Sequence, residues 1–192
     1  MRRLTLVLLA ALAAPAFAQS SWEIDPAHSN VQFGVRHMMI STVHGKFTKF
    51  TATATGDEKD AAHAAVQASI DVASIDTGDE KRDAHLKTAD FFDAEKFPTI
   101  TFKSTKVEAA GDRRFKLHGD LTMHGVTKPV VLDVEATPEV KGMRGETRAG
   151  ARATTKINRK DFGINWSKSM DGGGVVVGDE VEVTIDVEAV KK

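Results

Sequence analysis

The chain of 192 residues contains no cysteine and no tyrosine, and only two tryptophans and five prolines. The absence of cysteine excludes thiol catalysis, thiolate metal sites, covalent haem attachment and disulfides. Basic and acidic residues nearly balance, with a formal net charge of −1 at pH 7, so no nucleic-acid-binding surface is expected. After Ala18, no apolar run approaches the roughly 20 residues needed to cross a bilayer.

The first residues have the layout of a secretory signal peptide. Two arginines precede an apolar run that ends at Ala14, and Pro15 and the small-residue pattern Ala-Phe-Ala follow. This arrangement predicts cleavage after Ala18 and export to the periplasm. We therefore expect residues 1–18 to form a signal peptide and residues 19–192 to form one mature domain.

The remaining sequence alternates apolar and polar residues over many short segments. In EVEVTIDVEAV, for example, Val181, Val183, Ile185 and Val187 alternate with polar or charged residues. Such alternation indicates antiparallel strands with one buried face. About seven or eight strands joined mostly by short loops fit either a sandwich or a closed barrel.

Two segments depart from this alternation. TGDEKRDAHLKTADFF begins with acidic residues and predicts a short helix from Asp79 to about Ala89. The segment from Asp57 to Ala65 fits either a helix or a loop. The phenylalanine-rich stretch DFFDAEKF, which follows the predicted helix, fits either core packing or the rim of a cavity.

The histidines form no recognisable catalytic or metal-binding motif. His118 and His124 are six residues apart in LHGDLTMHGVTKPVVLDV, about 20 Å along one strand, which is too far for neighbouring metal ligands. Both are followed by glycine, and we interpret the two His-Gly pairs as turn or strand-end features. The pair His124–Gly125 in particular is typical of a hairpin turn, with contact to a ligand or metal as the alternative.

Two polar clusters contain residue types found in active sites but have simpler interpretations. Asp25, His28 and Ser29 stand together in DPAHS. Because triad partners normally come from separate elements, an Asx or Ser turn is the preferred interpretation. INRKDFGINW is typical of a turn held by side-chain to backbone hydrogen bonds, with Phe162 and Trp166 packed inward. No catalytic and no metal-ligating residue is predicted.

The sequence resembles the YceI-like family of exported polyisoprenoid-binding proteins in four segments, which are WEIDPAHSNVQFGVRHM, IDVASIDTGDEKRDAHLKTADFFDAEKFPTITF, LHGDLTMHGVTKPVVLDV and INRKDFGINW. They span Trp22 to about Val187. The resemblance implies an all-β, lipocalin-like extended antiparallel barrel of about eight strands with one short helix. It also implies a periplasmic or secreted location, a long apolar tunnel that binds an isoprenoid lipid, and often a homodimer. It implies neither catalysis nor a covalent cofactor.

Alternation and resemblance together predict which side chains line the tunnel. Apolar residues on the inward strand faces would form its wall, Phe92 and Trp166 would lie near an opening, and Arg36 and His37 would meet a polar head group. The predicted ligand-binding residues are therefore Phe33, Val35, Arg36, His37, Ile70, Phe92, Phe102, Leu121, Trp166 and Val183. A solid core built from the same apolar residues is the alternative.

The predicted function is sequestration of a long-chain isoprenoid, such as a quinone or a prenyl phosphate, by a periplasmic carrier. A link to stress response is implied by the family resemblance alone. Three alternatives stay open: a redox accessory that presents a quinone to a membrane cytochrome, an enzyme that acts on the lipid head group with His37 or His124 as base, and a structural stress protein. Transient contact with a membrane or a cytochrome is compatible with the carrier.

Overall fold

The computed structural model describes residues 20–56, 63–171 and 173–192. The predicted signal peptide lies outside these ranges, as do residues 57–62 of the segment that begins at Asp57. Within them, no helix is long and apolar enough to cross a membrane.

The described residues form one antiparallel sheet of twelve strands. The strands are β1 (Ser21–Ile24), β2 (Asn30–His37), β3 (Ser41–Phe47), β4 (Phe50–Thr55), β5 (Ala65–Asp71), β6 (Ile75–Asp76), β7 (Thr99–Gly111), β8 (Arg114–Met123), β9 (Val126–Ala136), β10 (Val140–Lys141), β11 (Thr147–Asn158) and β12 (Val177–Lys191). The helix α1 (Glu80–Leu86) separates β6 from β7.

Strand β12 closes the sheet into a barrel. One of its edges pairs with β11, and the other pairs first with β2 and then with β1. Strands β1 and β2 are thus two halves of one wall strand, and β3 and β4 are related in the same way. Eight strands therefore surround the barrel, which confirms the predicted lipocalin-like fold class and excludes the sandwich.

The break between β1 and β2 is built by the sequence DPAHS. The Asp25 carboxylate accepts a hydrogen bond from the backbone N–H of Ala27 at 3.1 Å and so caps a short 3-10 turn, Pro26–His28. The Ser29 hydroxyl donates to the Asp25 carbonyl at 2.7 Å. The predicted Asx and Ser turn is confirmed.

The two His-Gly pairs have different roles. His124 and Gly125 have φ of 52° and 74° and form the β8–β9 turn, as predicted, with the left-handed backbone of a type I′ hairpin. The prediction is wrong for His118–Gly119, which lies inside β8 beside a register shift in β7. A Cβ atom at Gly119 would lie 2.3 Å from the Phe102 ring, so this glycine makes room for an inward-facing aromatic side chain.

The predicted short helix is also present. Asp79 caps it by accepting hydrogen bonds from the backbone N–H groups of Lys81 and Arg82, each at 3.0 Å. It ends at Leu86, three residues earlier than predicted, because the backbone N–H groups of Lys87 and Thr88 turn back to the carbonyls of Ala84 and His85.

The barrel has two unlike ends. We name the helix end after α1; it also carries the β2–β3 hairpin (Met38–Ile40) and a 3-10 turn, Arg159–Phe162. The terminus end, at the opposite side, holds the start of β1 and the end of β12. The buried apolar cluster gathers toward the helix end and comprises Val31, Phe47, Val72, Ile75, Phe91, Ile100, Met123, Phe162 and Ile164.

Candidate functional site

A cavity of about 870 Å³ occupies the barrel interior. Inward-facing side chains from all eight wall strands line it, and α1 contributes at the helix end. Along β12 the lining extends from Val177 to Ala189, roughly 30 Å once the strand tilt is taken into account. The interior is thus hollow and elongated, and the solid-core alternative is wrong.

Small side chains create this space in the terminus half of the barrel. Eight strand alanines, which we name the alanine wall, line the cavity there: Ala52, Ala54, Ala68, Ala136, Ala149, Ala151, Ala153 and Ala189. An alanine at an inward strand position leaves unfilled volume that a leucine or phenylalanine would occupy. The helix half is narrowed instead by aromatic side chains, among them Phe33, Phe92 and Trp166.

All ten predicted ligand-binding residues line the cavity. The alternation pattern therefore assigned the inward faces of β2, β5, β7, β8 and β12 correctly. The sequence reasoning missed the alanine wall, although the segments TATAT and GARAT show the same alternation with small residues. Contact between these ten residues and a ligand stays a prediction.

Basic side chains predominate among the ionisable residues that line the helix end of the cavity. They are Arg36, His37, Lys81, Arg82, His85 and Arg159, together with one acid, Asp79. The Asp79 carboxylate is stabilised by the N–H groups that it caps, above all that of Arg82, and these lower its pKa. The charged lining residues of the terminus end are Arg113 and Glu139, which have opposite signs.

Arg36 stands at the mouth of the cavity. Its guanidinium donates hydrogen bonds to the carbonyl oxygens of Met39 at 2.9 Å and Ile40 at 3.2 Å, and to the Thr42 hydroxyl at 3.3 Å. These neutral acceptors fix the orientation of the guanidinium without neutralising its charge. Arg36 can therefore attract an anionic group at this mouth.

Arg159 holds the loop that places Trp166 on the cavity. Its side chain is 4% exposed and donates to the carbonyls of Ile164 at 2.7 Å, Trp166 at 2.8 Å and Gly178 at 2.9 Å. It also reaches the Asp179 carboxylate at 3.2 Å. Burial lowers the pKa of this guanidinium, and the hydrogen bonds compensate for the loss of water.

The rest of INRKDFGINW folds as predicted. The Asn158 side chain accepts a hydrogen bond from the backbone N–H of Lys160 at 2.9 Å, and Phe162 is 2% exposed. Trp166 packs against Phe91, with ring centroids 5.1 Å apart. This contact joins the loop to the segment that follows α1.

The phenylalanine-rich stretch both packs into the core and lines the cavity. Phe91 belongs to the buried cluster and also lines the cavity, and Phe92 lines the cavity beside it. The His85 ring meets Phe91 edge-on at 5.0 Å, and its Nε2 lies 2.8 Å from an Asp90 carboxylate oxygen. Phe97 instead packs on the ring of His124.

The structure separates the two histidines considered as bases. His37 lines the cavity. His124 is not among the lining residues; its Nδ1 lies 3.1 Å from the Phe162 carbonyl oxygen. The enzyme alternative therefore depends on His37 alone.

One group of potential metal ligands occurs among the described residues, on the outside of the barrel. Ligand atoms of Asp25, His28 and Glu188 lie within 4.8 Å of one another. The guanidinium of Arg148 already pairs with two of them, at 2.9 Å from Asp25 and in a short contact with Glu188. Hydrogen bonds from His28 and Arg148 lower the pKa of Asp25 to about 2, so this cluster is an ion-pair network that ties the β1–β2 break to β11 and β12.

The fold and the cavity define a class of protein, a closed lipocalin-like barrel built around an elongated apolar interior. Within that class the chain belongs to the YceI-like family, whose domain matches residues 22–189.

Comparisons with individual proteins agree with this membership. A UPF0312 protein of Vibrio cholerae is 38% identical over 167 residues, which cover 85% of this chain and 88% of the relative. The crystal structure of a Campylobacter jejuni YceI protein matches with a TM-score of 0.71 at 35% identity, over 82% of this chain and 90% of that one. A polyisoprenoid-binding domain from Saccharophagus degradans, implicated in plant cell wall breakdown, matches with a TM-score of 0.65 over 89% of this chain and 98% of that domain. At 14% identity this last likeness shows a shared fold alone.

Proposed function

We propose that this protein is a periplasmic carrier that binds a long-chain polyisoprenoid, of the quinone or prenyl phosphate type, inside the barrel. The observation that carries the proposal is the elongated apolar cavity. Each CH₂ group transferred from water into such an interior contributes roughly 0.8 kcal/mol. Apolar contact alone is therefore sufficient for tight binding of a long hydrocarbon chain, and no catalytic step is needed.

The two halves of the cavity suggest how the lipid is oriented. Its polar head lies at the helix end, where Arg36 and His37 line the mouth and a phosphate would meet opposite charge. Its tail extends along the alanine wall, where the small side chains leave room for branched isoprene units. The polyisoprenoid-binding domain of Saccharophagus degradans supports the proposal through its shared fold.

The proposal is tested by identifying the bound lipid. Protein purified gently from its source is examined by native mass spectrometry and then extracted with organic solvent. We expect an additional mass that the extract identifies as an isoprenoid. Protein that carries no lipid, and that takes up neither quinones nor prenyl phosphates on incubation, would contradict the proposal.

A pair of variants connects that binding to the cavity. Ala153 faces the interior of β11, and Ala153→Phe would block the cavity near its middle, so we expect lipid retention to fall at least tenfold. Thr154 is the next residue and is exposed, so Thr154→Phe adds the same ring outside the barrel. Equal retention by both variants would mean that the lipid binds elsewhere.

A further inference from the structure

The hairpin between β2 and β3 exposes three consecutive apolar side chains at the helix end. Met38, Met39 and Ile40 are 40%, 63% and 77% exposed. Single exposed apolar residues are ordinary on protein surfaces. A run of three at the tip of a hairpin indicates a surface that contacts something apolar. We name these residues the apolar tip.

The backbone of the tip is not the one that its side chains favour. Met38 and Met39 have φ of 51° and 60°, and the Ile40 N–H donates to the His37 carbonyl at 3.0 Å to close the turn. Left-handed geometry at both central positions favours Asn-Gly, because most other residues are strained there. Folding therefore does not explain the two methionines, and their strained backbone points to a role for their side chains.

The tip stands directly at the mouth of the cavity. Arg36 and His37, the two residues before it, line the cavity. The Met38 N–H donates at 2.8 Å to the carbonyl of Val176, which lines the cavity as well. Whatever the tip contacts is thus held next to the helix-end opening.

Basic groups lie immediately behind the tip. The Arg36 guanidinium is fixed by the carbonyls of Met39 and Ile40, and none of the ion pairs found among the described residues involves it. The exposed Lys168 ammonium lies 6.0 Å from the Trp166 ring, in the loop that carries Val176. Apolar side chains in front of cationic ones match the boundary between acyl chains and anionic head groups in a bilayer.

We propose that the apolar tip inserts into the surface of an anionic lipid bilayer and holds the helix-end mouth of the cavity against the membrane. This proposal rests in part on the proposed function, since a polyisoprenoid resides in membranes and enters water poorly. Direct contact between the mouth and the bilayer lets the hydrocarbon chain move between the two without exposure to water.

The test uses the full mature chain, without added cargo, and vesicles of equal parts phosphatidylglycerol and phosphatidylcholine. We expect the chain to sediment with these vesicles and to bind pure phosphatidylcholine less well. Met38→Asn with Met39→Gly should weaken binding about tenfold or more, because two inserted side chains are lost. Asn followed by Gly favours the left-handed backbone of this turn, so the melting temperature of the double variant should stay unchanged or rise. Met39→Asp is a second variant with the same expectation, because aspartate tolerates left-handed backbone.

Met143 provides the matched control. It is fully exposed in the hairpin at the terminus end, so Met143→Asn removes an exposed methionine far from the helix end and should leave vesicle binding unchanged. The docking proposal is overturned if the wild-type chain ignores the vesicles, or if tip and control variants bind equally. A tip-dependent dimer in sedimentation velocity without vesicles would assign the tip to a second copy and would also overturn it. Lipid retention is measured on the same variants and should not change, because the apolar tip does not line the cavity. A wild-type chain that retains no lipid would contradict the proposed function, whereas the vesicle result tests the docking proposal.

Discussion

The two ends of this barrel are made from the same strands but are filled in opposite ways. At the helix end, aromatic and branched side chains such as Phe47 and Ile100 pack into a buried cluster. At the terminus end, the inward positions of the same strands carry the alanine wall and the interior stays open. One half of the barrel is therefore tightly packed and the other half encloses open volume. A substitution should change the free energy of unfolding by different amounts in the two halves.

The largest difference should appear when a phenylalanine is truncated at each end. Phe162→Ala removes a ring that is 2% exposed and should lower the free energy of unfolding by about 3–5 kcal/mol. Phe115 lines the cavity toward the terminus end, so Phe115→Ala enlarges an existing space and should cost clearly less. Urea unfolding of both variants provides the measurement. Equal losses would show that the terminus half is packed as tightly as the helix half.

A second effect concerns the buried guanidinium of the helix end. Arg159→Met keeps the length of the side chain but leaves the carbonyls of Ile164, Trp166 and Gly178 without their donor. Unsatisfied buried acceptors should lower the free energy of unfolding by about 2–4 kcal/mol. The fluorescence of Trp166 should shift to longer wavelength as its loop loosens. Lys156→Met, which removes an exposed ion-paired cation from β11, is the control and should cost less than about 1 kcal/mol.

A third effect lies where the two halves meet. Gly119→Ala places a methyl group 2.3 Å from the Phe102 ring and should cost about 1–3 kcal/mol through overpacking. Gly119→Ala combined with Phe102→Leu should recover part of that loss, because the smaller side chain makes room. Thermal unfolding of the single and double variants measures the coupling. No recovery would mean that the loss comes from the Lys103 carbonyl oxygen of β7, which lies 2.7 Å from the added methyl group, and not from the ring contact.

The smallest effect belongs to the ion-pair network outside the barrel. The pKa of Asp25 is about 2 in the folded chain, below the ordinary value of about 3.9. A lowered folded pKa adds stability above the ordinary value, and that stability is lost as the pH falls from about 4 toward 2. Asp25→Asn keeps the cap but removes the charge, so its melting temperature should fall less steeply in that window. Parallel curves for the two proteins would show that the network adds no stability.

The alternation of apolar and polar residues predicted much of this structure because it fixes which face of a strand points inward. The alternation therefore predicts correctly that Val183 and Phe102 point into the barrel. The same pattern does not report whether side chains on opposite walls touch across the barrel. That depends on the summed volume of eight strands, so the hollow interior followed from the family resemblance and not from periodicity.

Other features depend on contacts between segments that are distant in sequence. The His-Gly pair at His118–Gly119 predicts a turn, as the pair at His124–Gly125 does, but only the second pair forms a turn. The role of Gly119 is set by Phe102 on the neighbouring strand. The sequence reasoning missed the apolar tip for a related reason. The exposure of Met39 depends on how the β2–β3 hairpin packs beside the loop that precedes β12.

The alanine wall places small side chains at regular depths along the cavity. Ala149, Ala151 and Ala153 follow one another along β11 on the cavity side, about 7 Å apart along the strand. A bulky side chain at one of these positions would set a stop at a fixed depth from the mouth. For the proposed lipid, a single substitution in the alanine wall would therefore change the chain length that the cavity holds and leave the buried cluster of the helix end unchanged.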